Sequence, residues 1–242
     1  MFSWLRAKGG TDAQTVEILK REALKNAVEL ASVEDPTVAA KIAAKELLQK
    51  LLAAMRTERG VHIESLLTAL AAMAGYSCQM SLRAQALARG LPETASFTLV
   101  TTTNGEEYYF GDPLNNALAG AGYSIYGLAA GAAQEAGAQL PDLDNIFAYV
   151  AGTLGSDAFG IPRTPKDHQA ADLPINYIKN LWPVLHPDVQ ASCPNPLAWP
   201  LVYGLALQQA VAMSTKTLDP TLTISIIMEC AVPMSKVRVE SA

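Results

Sequence analysis

Hydrophobic residues recur along this chain every three or four positions, in runs broken by proline and glycine, and that spacing predicts stacked amphipathic helices. A first helix is expected from about Asp12 to Ser32, with Val16, Leu19, Ala23, Ala27, Leu30 and Ala31 on one face and charges on the other. Asp35-Pro36 restarts the chain, because an Asp oxygen satisfies a free N–H and Pro already has the φ of a first helical residue. A second helix then covers 36–59, with Ala39, Ile42, Ala43, Leu47, Leu51 and Ala54 inward, and Gly60 ends it. The third spans 61–89, where Ile63, Leu66, Leu67, Leu70, Ala71, Ala74, Cys78 and Leu82 line one broad face. Gly75 inside it weakens the helix and predicts a kink or a close neighbour.

Further helices are expected over 113–136, 141–154, 174–182, 197–216 and 220–231, the last capped by Asp219-Pro220. Gly120, Ala121, Gly127 and Gly131 in the 113–136 helix offer smooth surface for close helix approach. Residues 155–173 read as a long irregular connection, and Pro183, Pro187, Pro194 and Pro196 as punctuation of a second loop.

Between these helices lies one segment of a different period. Phe97 to Thr103 is rich in β-branched residues, Asn104-Gly105 follows, and Glu106 to Phe110 alternates again. Asn-Gly accepts the positive φ angles of a two-residue type I′ turn. Such a turn would set Thr103 opposite Glu106, Thr101 opposite Tyr108 and Leu99 opposite Phe110. Phe97, Leu99, Tyr108 and Phe110 would then share an apolar underside. The expected fold is mainly α: a multi-helix globular bundle of about seven or eight helices with one β-hairpin at about 97–111. Residues 1–60 form an N-terminal αα-hairpin packed on the body, and 61–242 a main helical domain that contains the β-hairpin.

Composition sharpens this picture. Half the residues are hydrophobic and 17% are charged, a balance that favours a large buried core. The net charge is -5 and no basic patch is visible, which argues against nucleic acid as a partner. Cys78, Cys193 and Cys230 are odd in number and widely spaced, so they read as free thiols of a reducing compartment, the cytoplasm. The N-terminus turns polar by Lys8, and no signal-peptide core is expected there. The uncharged stretches 114–133 and 189–215 are diluted by Asn, Gln and Pro and lack flanking basic clusters, which argues against membrane contact.

Candidate chemistry is sparse. His62 and Glu64 stand at a helix start, two residues apart, where the dipole can poise a base. The plainer reading is a local hydrogen bond and a carboxylate that suits the dipole. In the 155–173 loop Asp157, Arg163, Lys166, Asp167 and His168 could form a lid or a ligand site, with Arg163, Lys166 and Asp167 the binding candidates. A solvated connector is the plainer reading. His186, Asp188 and Cys193 form the third group, since a cysteine and a histidine make a nucleophile–base pair if they meet in space. No motif for a metal or a cofactor is present, and none is expected.

A lone hairpin is marginal in water and leaves its edges free, so pairing with a second copy predicts a homodimer through the hairpin. The leading functional expectation is an oligomeric interaction or scaffold protein. The alternative is a small-molecule-binding protein or enzyme, with a pocket between the central helices and the 155–173 loop.

Overall fold

The computed structural model describes residues 37–120 and 122–239, so the helix expected at 12–32 lies outside the described residues. Eight α-helices and two short strands follow in order among the described residues. They are α1 (Val38–Ala54), α2 (Ile63–Ala88), β1 (Thr98–Thr101), β2 (Glu107–Phe110), α3 (Asp112–Ala119), α4 (Ile125–Glu135), α5 (Leu143–Gly152), α6 (Pro174–Ser192), α7 (Trp199–Ser214) and α8 (Pro220–Met234). The fold is mainly α with one antiparallel hairpin. No described helix is long and apolar enough to cross a membrane.

The centre of the molecule is α2. Every residue from Glu64 to Gln79 is buried, because α6, α7 and α8 enclose the helix. Its small residues allow this. A Cβ on Gly75 would stand 2.0 Å from the backbone oxygen of Ala231 in α8, so the two helix backbones touch at the glycine. The close neighbour is therefore the reason for Gly75. A second contact of this type joins α7 to α4, where a Cβ on Gly204 would meet Leu128 Cδ1 at 2.6 Å. Gly131 faces open space, so the expected smooth face of the 113–136 segment is not what the neighbouring helix uses. On the far side, Ala40, Ala43, Ala44, Leu47, Leu48 and Leu51 of α1 join the same apolar core. Lys50 Nζ meets Asp188 of α6 at 2.6 Å on its rim.

Two helix expectations are corrected. The 113–136 helix is divided, with α3 ending at Ala119 and α4 starting after Ser124, whose hydroxyl accepts the Gly127 N–H. Glycines on either side of the break and a strong N-cap outweigh the apolar period there. The 174–182 helix instead continues as α6 to Ser192, through Pro183 and Pro187. Both prolines face solvent. The carbonyls that lose an N–H partner there have water as an alternative, so the cost of helical proline is reduced.

The hairpin register is shifted by one residue. Leu99 pairs with Tyr109, Val100 with Tyr108 and Thr101 with Glu107. Thr102 N–H donates to Glu106 O at 2.9 Å, and Gly105 N–H donates to Thr102 O at 3.0 Å. Thr103, Asn104 and Gly105 therefore form a three-residue loop, with Gly105 at φ +85° in the left-handed position that such loops reserve for glycine. The Asn104 side-chain oxygen accepts locally from Thr102 Oγ1 and Glu106 N–H, and its amide donates to Gly155 O at 3.1 Å.

A one-residue slip exchanges the faces of a strand. Tyr109, not Tyr108, lies beneath Phe97, with ring centroids 5.0 Å apart, and Arg83 of α2 lies over it. Tyr108 packs on the opposite face against Phe159. The outer edge of β2 is covered too. Tyr109 N–H donates to Lys236 O at 2.9 Å, and Tyr108 bridges to Val237. Gln79 holds that C-terminal stretch in place, its amide donating to Ser235 O at 3.0 Å and to Val237 O at 2.9 Å. Among the described residues, no strand or bridge pairs with the outer edge of β1, whereas the outer edge of β2 is covered.

Candidate functional site

The N-terminus of α2 and the 155–173 loop, far apart in sequence, meet at one carboxylate. Glu64 sits in the first turn of α2, buried with its neighbours Ser65 and Thr68. His168 ends a short 3₁₀ turn, Lys166–His168, and its Nδ1 lies 2.9 Å from Glu64 Oε1. His62 lies on the other side, with Nε2 3.3 Å from Glu64 Oε2 and Nδ1 2.8 Å from Ser65 Oγ. Ser65 Oγ also accepts the Ala171 N–H at 2.8 Å. The loop is thereby fixed to the start of the central helix by two adjacent residues.

Burial alone would raise the Glu64 carboxyl. The hydrogen bond from His168, its own backbone N–H and the attraction of both imidazoles more than offset that, and hold it below its ordinary value. A charged carboxylate paired to Nδ1 of a histidine leaves Nε2 of that ring free. This is the arrangement that orients a histidine as a general base.

His168 forms part of the wall of a cavity of about 280 Å³. Thr68 of α2 lines the same cavity, as do Ile161, Thr164, Gln169 and Asp172. Among the described residues that line it there is no Lys or Arg. Asp172 is already engaged, accepting from Leu173 N–H at 2.8 Å and from the Asn176 amide at 2.6 Å. The cavity thus offers one histidine, two threonine hydroxyls and the Gln169 amide beside apolar side chains such as Ile161 and Leu173.

The remaining loop candidates do not face this cavity. Arg163 anchors the loop from outside, donating from Nε and Nη2 to Glu229 Oε1 of α8 at 2.9 and 2.6 Å and stacking over Tyr149. Asp157, Lys166 and Asp167 are exposed. The third group does not assemble either. Asp188 is turned outward to Lys50, while Cys193 caps the C-terminus of α6 and is buried rather than placed in a loop. His186 stacks on Trp182 with centroids 3.9 Å apart and places Nδ1 3.2 Å from Tyr203 Oη. Its Nε2 has no hydrogen-bond partner, so Cys193 does not form a pair with it. Burial lowers the His186 imidazole to about 4 and raises the Cys193 thiol. Cys78 and Cys230 are core fillers, their thiols pushed up to about 12 by burial.

Two further features carry no clear sequence signal. One is an open groove of about 1110 Å³ between the hairpin and α6, walled by Tyr76, Tyr108, Phe159 and Trp182. The other is Lys236, which is 1% exposed and donates from Nζ to Asn115 Oδ1 at 2.7 Å. In the sequence it is one of two cations, with Arg238, that follow an apolar helix. Among the described residues no three His, Cys, Asp or Glu side chains are grouped to hold a metal ion. Comparison with protein-family models, curated proteins and solved structures finds no match.

Proposed function

We propose that this chain binds a small molecule in the cavity between α2 and the 161–174 segment, and acts on it through Glu64 and His168 as a general-base pair. The observation that carries this reading is the 2.9 Å contact between His168 Nδ1 and Glu64 Oε1 at the wall of that cavity. Among the described lining residues there is no Lys or Arg to favour an anion, and the one carboxylate, Asp172, is taken up by Leu173 N–H and Asn176, which supports an uncharged ligand. Hydroxyl or amide groups on it would meet Thr68, Thr164 and Gln169, and an acidic O–H or N–H would face His168.

The test is a ligand-detected NMR screen of uncharged fragments against the full chain, in wild-type and His168→Gln forms. Binders that compete with one another and weaken at least tenfold in the variant are expected. Binders that ignore the substitution, or a preference for anions, would overturn the reading.

A second reading, a homodimer, is favoured by the β1 edge, which has no strand partner among the described residues and where Thr98, Leu99 and Thr101 are exposed. Antiparallel addition of the same strand from a second copy would satisfy its outward N–H and C=O groups. Light scattering at micromolar concentration tests it, and a monomer in the wild type would refute it. Three buried free thiols support a reducing location such as the cytoplasm, and the acidic net charge supports partners other than nucleic acid.

A further inference from the structure

The four contacts around Glu64 also constrain where protons sit. A carboxylate oxygen only accepts, so an imidazole nitrogen beside it carries the hydrogen when the ring is neutral. For His168 that nitrogen is Nδ1, at 2.9 Å from Oε1. His62 Nε2 lies 3.3 Å from Oε2 in an ion-pair contact rather than an aligned hydrogen bond, so the hydrogen-bonded nitrogen of this ring is Nδ1. A neutral imidazole has one hydrogen, and with that hydrogen on Nε2 the Nδ1 is an acceptor. Its neighbour suits that role: Ser65 Oγ already accepts the Ala171 N–H, and its own hydrogen is free to point to His62 Nδ1 at 2.8 Å. The chain Ala171 N–H to Ser65 and Ser65 to His62 runs in one direction, and it leaves the His62 hydrogen on Nε2, the side of the charged group.

We infer that Glu64 and Ser65 sort the two neighbouring histidines into opposite neutral tautomers: the Glu64 carboxylate holds Nδ1–H in His168 and leaves its Nε2 bare, while the Ser65 hydroxyl donates to Nδ1 of His62 and leaves that ring Nε2–H. His62 and Ser65 are positioning residues in this arrangement. They reach no ligand, since neither lines the cavity. His62 stands beside the second carboxylate oxygen, and Ser65 ties Ala171 to the helix start. The significance of the arrangement rests on the acid–base reading above, but its test does not.

The chain has three histidines, so long-range ¹H–¹⁵N correlation spectra of the labelled full-length protein contain three rings to assign. At about pH 8, where an ordinary imidazole is neutral, the expected pattern is Nε2–H for His62 and Nδ1–H for His168. A His168 ring protonated on Nε2, or a His62 ring protonated on Nδ1, overturns the inference directly in the wild type. Glu64→Gln should shift His168 to the mixed tautomers of an unconstrained ring, and Glu64→Asp should retain more of the Nδ1–H form. Ser65→Ala should remove the tautomer preference of His62 while His168 keeps most of its own. A purely structural role for His62 and Ser65 would leave the His62 tautomer unmoved in Ser65→Ala, and that outcome also counts against the inference. If the tautomers are as stated and no uncharged fragment binds, the acid–base reading fails and the proton arrangement stands.

Discussion

Replacing Lys236 by Met should stabilise the protein at neutral pH, by an amount that shrinks as the pH is raised. Lys236 is fully buried against Phe110 and Phe147, with Asn115 as its hydrogen-bond partner, and no carboxylate of the described residues lies within ion-pair distance. Burial lowers its ammonium from 10.5 to about 8. The proton is held less tightly in the folded chain than in the unfolded one, so the unfolded state binds more protons between these two values. Stability from this group is therefore complete above pH 10.5 and is lost as pH falls towards 8. At pH 7 the loss amounts to about 3 kcal/mol.

Methionine carries no charge and keeps the apolar contact with the two rings. Loss of the Asn115 bond returns about 1 kcal/mol. Urea unfolding of wild type and Lys236→Met, measured side by side from about pH 7 to about pH 10, checks the sign and the size. Constant terms cancel in the comparison of pH values. The advantage of the variant should narrow by about 2 kcal/mol across that range. A difference that stays flat with pH would refute the assignment of the penalty to a buried ammonium.

Other substitutions probe the remaining contacts. His186→Phe should flatten the acid limb of the stability curve, because the His186 imidazole is lowered from 6.5 to about 4 and its stability contribution is lost as pH falls through that interval. Thermal unfolding at about pH 7 and about pH 4.5 would reveal it, and an equal acid loss in both forms would count against it. Gly75→Ala drives a methyl group into the Ala231 carbonyl and should cost about 3 kcal/mol or more, whereas Gly60→Ala meets no neighbour and should cost about 1 kcal/mol from its φ of +96°. Denaturant midpoints of the two variants give the contrast. Gln79→Leu strips two donors from the Ser235 and Val237 carbonyls and should lower stability by about 2 kcal/mol. In hydrogen exchange the Tyr109 N–H, which donates to Lys236 O, should lose protection ahead of the α2 amides.

Much of the architecture was written in local pattern. The α1 and α2 helices, the Asp219 cap of α8 and the presence of a hairpin near Asn104-Gly105 follow from spacing, caps and turn residues, because those forces act within a few positions of the chain. Gly75 was recognisable as a position needing an explanation. The sequence could not name Ala231 as that explanation, since the contact spans more than 150 positions.

Tertiary structure decided everything that depends on distant partners. Thr103-Asn104-Gly105 closes as a three-residue loop with Asn104 bonded to Gly155, and the register is one residue from that of a two-residue turn. Pro183 and Pro187 were accommodated within α6 because packing of its opposite face, through Leu185 and Val189, supports a helix that propensity would end. The candidate site shows the same division. His62, Glu64 and His168 were each visible as residues capable of proton chemistry, yet no spacing rule links a helix start to a loop 104 positions away. Lys236 gave no warning at all, because the cost of a buried charge is set by what surrounds it. The sequence by itself determined where helices and the hairpin form and which side chains carry chemistry. Only the folded chain decided which of them meet, because burial and hydrogen bonding depend on distance in space rather than along the chain.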